Sequence, residues 1–156
     1  AYIKTDGTLW TGGSNFYGQL GDGTKTERTS FAQIATGVAA VACGARHLTY
    51  LKVDGTLWSV GDNSYGQLGT GNTTARSTAG QIASDVAFIS GGGIHNAFVK
   101  TDGTLWVYGD NSSGQLGLGD TTRRLSPVQL GTGFARAYCT NGVTFAVKSG
   151  PTPALW

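Results

Sequence analysis

Two histidines, His47 and His95, stand 48 residues apart, and two cysteines, Cys43 and Cys139, stand 96 apart. Imidazole and thiolate are the usual ligands of zinc, so a metal centre is the first chemistry to test. Neither pair has ligand spacing, and no carboxylate joins them. Three aspartates, Asp6, Asp54 and Asp102, recur at the same interval, as do Arg28, Arg76 and Arg124. Residues that recur at one place in a repeat are held one unit apart, too far for two carboxylates to work as a general acid and base. The glycine-rich run from Asn63 to Gly69 has no Gly-Lys-Ser/Thr and opens no helix, so it offers no phosphate cradle. No nucleophile, base and oxyanion set is visible. The sequence therefore predicts no catalytic residue, no metal ligand and no cofactor.

The interval itself carries the information. Asp-Gly-Thr-Leu-Trp occurs at residues 6–10, 54–58 and 102–106, ending in Trp10, Trp58 and Trp106. Asn-x-x-Gly-Gln-Leu-Gly keeps the same beat from Asn15, Asn63 and Asn111, with Gly18, Gly66 and Gly114 at its fourth place. Two words at one fixed spacing mean a tandem array of one supersecondary unit. Within a unit four strands are expected. The first covers residues 38–42, 86–90 and 134–138. The second covers His47–Lys52 and His95–Lys100, with residues 143–148 and 2–4 as counterparts. A third starts at each Leu-Trp pair, and a weaker fourth lies near residues 79–83 and 127–130. Asp-Gly between the second and third strands is a strong hairpin signal, because both turn positions favour positive φ. Residues 61–77 read as a long loop that folds back to bury Leu68, the counterpart of Leu20 and Leu116.

In this frame each candidate residue has a scaffold role. The histidines are packed and hydrogen-bonded at the start of the second strand. Both cysteines are buried free thiols, too far apart to bridge. Asn15, Asn63 and Asn111 cap the long turn, and the arginines tie loop to blade through bidentate hydrogen bonds to backbone or carboxylate. The tryptophans are spacers between blades, with Trp156 as a fourth.

Four antiparallel strands per unit of about 48 residues, set radially, make a β-propeller blade. The Asp-Gly-Thr-Leu-Trp and Asn-x-x-Gly-Gln-Leu-Gly words, with the Gly44-Ala-Arg-His47 turn, resemble the regulator-of-chromosome-condensation repeat over essentially the whole chain. The resemblance implies a seven-bladed ring, which at this repeat length takes roughly 340 residues. The 156 residues here hold about 3.3 repeats. The expected units are a partial blade at residues 1–37, blades at 38–85 and 86–133, and a partial blade at 134–156. Either the chain is a window from a longer protein, or partial rings complete one another as an oligomer.

Composition narrows the function class. Glycine supplies 26 of 156 residues, against a usual share of roughly 7%, and its periodic placement marks turns. Charged residues are 13% and the formal net charge is +2, so the chain lacks the basic footprint of a nucleic-acid binder. No apolar run reaches the roughly 20 residues of a membrane span. Function is expected where the units disagree, on the face shared by the first turn and the long loop. Phe16, Tyr17, Arg46, Tyr65 and Arg123 are the candidate partner-binding residues, since exposed aromatics and arginine suit a protein interface. The resulting expectation is a non-enzymatic binding or structural scaffold with a protein partner. The low charge and Gly/Thr/Ser/Asn-rich units look most like bacterial and bacteriophage versions of the repeat, which suggests an extracellular or virion protein. The resemblance also implies two alternatives, a nucleotide-exchange factor for a small GTPase and a propeller-type enzyme inhibitor.

Overall fold

The computed structural model of the protein describes residues 1–150; the strand start expected at Leu155 and Trp156 lies outside them. Thirteen strands and no helix occur among the described residues. Sheet I contains β1 (Tyr2–Ile3), β2 (Leu9–Gly13) and β3 (Arg28–Ala35). Sheet II is β4 (Val38–Cys43), β5 (His47–Lys52), β6 (Leu57–Gly61) and β7 (Arg76–Ala83). Sheet III repeats it with β8 (Val86–Gly91), β9 (His95–Lys100), β10 (Leu105–Gly109) and β11 (Arg124–Gly131). Sheet IV pairs β12 (Phe134–Cys139) with β13 (Thr144–Lys148). All neighbours are antiparallel and sequential, 4-5-6-7 and 8-9-10-11 in the complete sheets. The chain is an all-β array of four-stranded blades, part of a propeller.

The Asp-Gly word builds the hairpins. Gly7, Gly55 and Gly103 take φ near +80° (78°, 81° and 79°), a conformation that costs other residues roughly 1–2 kcal/mol. The preceding aspartate accepts from the backbone N–H and hydroxyl of the following threonine, which in turn accepts the indole N–H of Trp10, Trp58 or Trp106. The cross-strand partners of these tryptophans, Tyr2, Tyr50 and Phe98, stack nearly parallel on them. A lysine ammonium covers each indole, Lys4 at 4.0 Å, Lys52 at 4.6 Å and Lys100 at 5.4 Å. Trp106 also packs into a cluster with Leu51, Leu57 and Ile82 of sheet II, so it bridges two sheets.

Sheets are joined at both ends. At the hairpin end, the first N–H of each new inner strand donates to the hairpin glycine of the sheet before: Val38 to Gly7, Val86 to Gly55, Phe134 to Gly103. At the other end, the first two long loops reach the outer strand of the next sheet, with Gly23 N–H on Ser77 O and Gly71 N–H on Leu125 O.

Three expectations need correction. The fourth strand is longer than residues 79–83 and 127–130. It begins at Arg76 and Arg124, because a bulge lets the ladder resume at Gly61↔Arg76 and Gly109↔Arg124. The long loop is accordingly shorter than residues 61–77. The last second-strand copy starts at Thr144, one residue later than expected. Finally, Cys43 is exposed, while Cys139 is half-buried. Cys139 packs beside β8, its N–H donating to Ser90 Oγ, whereas sheet I has no inner strand among the described residues to cover Cys43. Burial pushes the Cys139 thiol up to about 11, with hydrogen bonds from Thr144 and Ser90 opposing.

A candidate docking face and the loops beneath it

Each long loop is organised by one buried asparagine. Asn63 accepts the Leu68 N–H and donates to the carbonyls of Asn72 and Thr74. Asn15 does the same with Leu20, Thr24 and Thr26, and Asn111 with Leu116, Asp120 and Thr122. All three asparagines are fully buried, and Leu20, Leu68 and Leu116 are drawn into the core beside them. The glycine word completes the loop. Gly66 has φ 80°, and a Cβ on it would meet Leu125 Cα at 2.9 Å; on Gly18 it would meet Ser77 Cα at 2.7 Å. Gly114 has φ 75° with no described residue within 4 Å of the added Cβ. The bare backbones of Gly18 and Gly66 therefore let the first two loops land against the outer strand of the next sheet.

Above this constant layer lie the candidate contact residues, and the structure brings them into two groups. Phe16 is 75% exposed and meets Tyr17 edge-on at 5.1 Å. Arg46, from the β4–β5 turn of the next sheet, lays its guanidinium over the Tyr17 ring at 4.8 Å. One sheet further on, Arg123 covers Tyr65 at 5.2 Å and donates to the Ser64 carbonyl at 3.3 Å. Both groups straddle a sheet boundary and join an aromatic from one long loop to an arginine from the next unit. In the units that lack them, Ser113 replaces the tyrosine, while Ile94 and Gly142 replace Arg46. The loop carboxylates Asp62 and Asp110 are buried under this face and consumed by Ser64, Ser112 and Gln115.

The histidines link sheets below the face. His47 Nε2 meets Asn96 Oδ1 at 2.9 Å, and Asn96 donates to the Gln67 carbonyl. His95 Nε2 meets Thr144 Oγ1 at 3.0 Å, which donates to the Gln115 carbonyl. Burial pushes both imidazoles down, against Asn96 and Asp62 for His47 and against Asp110 for His95. The glycine three residues earlier is part of the same device. A Cβ on Gly44 would lie 2.0 Å from the His47 ring and one on Gly92 2.6 Å from the His95 ring. Where Val143 replaces histidine, Thr140 replaces glycine. That paired change was legible in the sequence and is the signal that the motif reading missed.

The arginine ladder is uneven. Arg28 pairs with Asp22 through Nε alone, whereas Arg124 donates through two nitrogens, Nη2 to Asp120 and Nη1 to the Thr122 carbonyl, so the expected two-point bonding is made by Arg124 and not by Arg28. Burial works to raise Asp22, but Arg28, Thr24 and Asn15 together hold it well below the carboxylate range. Arg76 forms no ion pair among the described residues. No group of three or more His, Cys, Asp or Glu side chains suited to a metal occurs among them either.

Four-stranded antiparallel blades in tandem, tied by buried asparagine loops, define a repeat-built β-propeller. The regulator of chromosome condensation (RCC1) repeat matches residues 6–51, 54–99 and 102–147, and a second pattern of that description matches 38–67 and 86–115. The chain belongs to the RCC1 repeat family. No curated protein matches it at the level of sequence. Among solved structures, human WBSCR16 aligns with a TM-score of 0.81 at 24% identity, covering 94% of this chain and 42% of that one. Prp20p from Saccharomyces cerevisiae, studied with its binding to Gsp1p and histones, aligns at 0.80 and 19% identity, covering 94% and 41%. Yeast RCC1 (Prp20) bound to Kap60 aligns at 0.79 and 19%, covering 94% and 39%. The chain thus spans about two-fifths of the length of these structures. The likeness establishes a shared fold.

Proposed function

We propose that this propeller segment is a non-enzymatic scaffold that binds a protein through the face carrying Phe16, Tyr17, Arg46, Tyr65 and Arg123. The observation that carries this reading is the grouping of repeat-variable aromatics and arginines at two sheet boundaries of one face. Aromatic and arginine side chains on a rigid support lose little entropy when they are covered, which is why they dominate interface energetics. The asparagines and hairpin aspartates that recur in every unit are already engaged in loops and turns, which supports a role without catalysis. A net charge of +2 supports a protein partner over nucleic acid. Low charge and the Gly/Thr/Ser/Asn-rich units support an extracellular or virion setting.

The second reading is a regulator of a small GTPase, favoured by the structural likeness to Prp20p and its binding to Gsp1p. Nucleotide release separates the two. The purified chain should leave release from Gsp1p at its intrinsic rate, and clear acceleration would replace the scaffold reading with exchange.

A further inference from the structure

The arginine that opens the outer strand has a carboxylate in two sheets and lacks one in the third. Arg28 meets Asp22 at 2.5 Å and Arg124 meets Asp120 at 2.7 Å. In sheet II the places of those two acids are taken by Thr70 and Asn72. Arg76 instead lies over Gly80, where a Cβ would fall 2.2 Å from Nη1. The corresponding positions are Ala32 and Val128, which carry the Cβ that Gly80 lacks. Loss of the acid and presence of the glycine thus go together in one sheet.

The guanidinium borders a hollow of about 380 Å³ lined also by Thr70, Gln81, Ser126, Ile82 and Pro127. Ile82 and Pro127 also wall a second hollow of about 310 Å³, which continues to Trp106 and Lys100. The result is a groove along the outer junction of sheets II and III with a cation toward each end and an apolar stretch between. No aspartate or glutamate lines either hollow.

We propose that this groove takes an extended acidic segment of a protein partner, with one carboxylate seated on Arg76. The two sister sheets show that a carboxylate is what this arginine holds when one is supplied. Guanidinium is weakly hydrated and shaped for carboxylate, so an outside acid replaces water at little cost. The wall of Ile82, Pro127 and Trp106 favours a peptide over a bare anion, which would leave that surface unused. This surface lies at the outer strands, apart from Phe16 and Arg46, and stands independently of the docking face.

The test follows the arginine Nε–Hε resonances of the isotope-labelled chain during titration with the capped tripeptide N-acetyl-Glu-Leu-Glu-amide. Arg76 should shift saturably and more than Arg28, Arg124 or Arg46, while the Gln-Leu-Gln analogue leaves it in place. Thr70→Asp, which puts a carboxylate where sheet I has Asp22, should abolish the shift. Should that variant fail to fold, Gly80→Ala carries the same expectation, because the added methyl meets only the mobile end of Arg76. Equal shifts at all arginines, an equal response to the glutamine peptide, or a shift that survives in both variants would overturn the proposal. So would inorganic phosphate moving Arg76 as strongly as the peptide does, since the site would then be a simple anion site.

Discussion

The inner and outer layers of the long loops obey different rules. Inside, Asn15, Asn63 and Asn111 make matching bonds to matching places in three sheets, and Leu20, Leu68 and Leu116 fill matching space. Outside, the residues next to those asparagines change from Phe16-Tyr17 to Ser64-Tyr65 to Ser112-Ser113, and only the first two sets recruit an arginine from the next unit. The inner layer has little freedom, because the buried asparagine donors must find their acceptors and the first two loops must land on the next outer strand. The outer layer is free of that demand and can be shaped by a partner.

This contrast sets the order of expected mutational effects. Asn63→Ala should cost most, about 3 kcal/mol, since it strands one buried N–H and two carbonyls at once; equilibrium denaturation measures it. Gly66→Ala should cost about 2 kcal/mol, combining a disfavoured φ with a backbone clash against Leu125. Gly114→Ala should cost only about 1 kcal/mol from φ alone, as no described residue crowds it. Equal losses at Gly66 and Gly114 would break the claim that the glycine word sets loop-to-sheet contact.

The buried histidines add a pH dependence. Their folded values lie below the ordinary 6.5, so the unfolded chain binds more protons and stability rises with pH. The contribution is present above about 6.5 and is lost as pH falls from there through the depressed folded value. Midpoints measured from pH 8 to 5 should fall, and His47→Asn should flatten the slope; an unchanged slope would remove His47 as the cause. Smaller again is Asp85→Gly. Asp85 is the single non-glycine residue at positive φ among the described residues, at 59°, where the sister positions are Gly37 and Gly133. This change should raise stability by up to about 1 kcal/mol in a thermal melt.

The repeat words made the blade, its hairpins and its long loops legible before any coordinates, because glycine, Asp-Gly and buried asparagine each impose a specific backbone. What stayed hidden depends on neighbours in space. Arg46 over Tyr17 and Arg123 over Tyr65 join residues from different units, and no local pattern announces the pairing. The exposure of Cys43 reflects the lack of an inner strand in sheet I among the described residues, which no pattern around the cysteine announces. The His47–Gly44 coupling sits between these cases: the paired change to Val143 and Thr140 was visible, but its cause is a ring lying where a Cβ would be.

The central claim, that the fold resides in the constant layer and the partner on the variable rim, is tested most directly by photocrosslinking in the native assembly. Benzoylphenylalanine is placed at Phe16 on the rim, or at Val53, which is 76% exposed at the hairpin end. The claim predicts a crosslink to a second polypeptide from position 16, abolished by Arg46→Ala, and none from position 53. A crosslink from position 53 alone would contradict it.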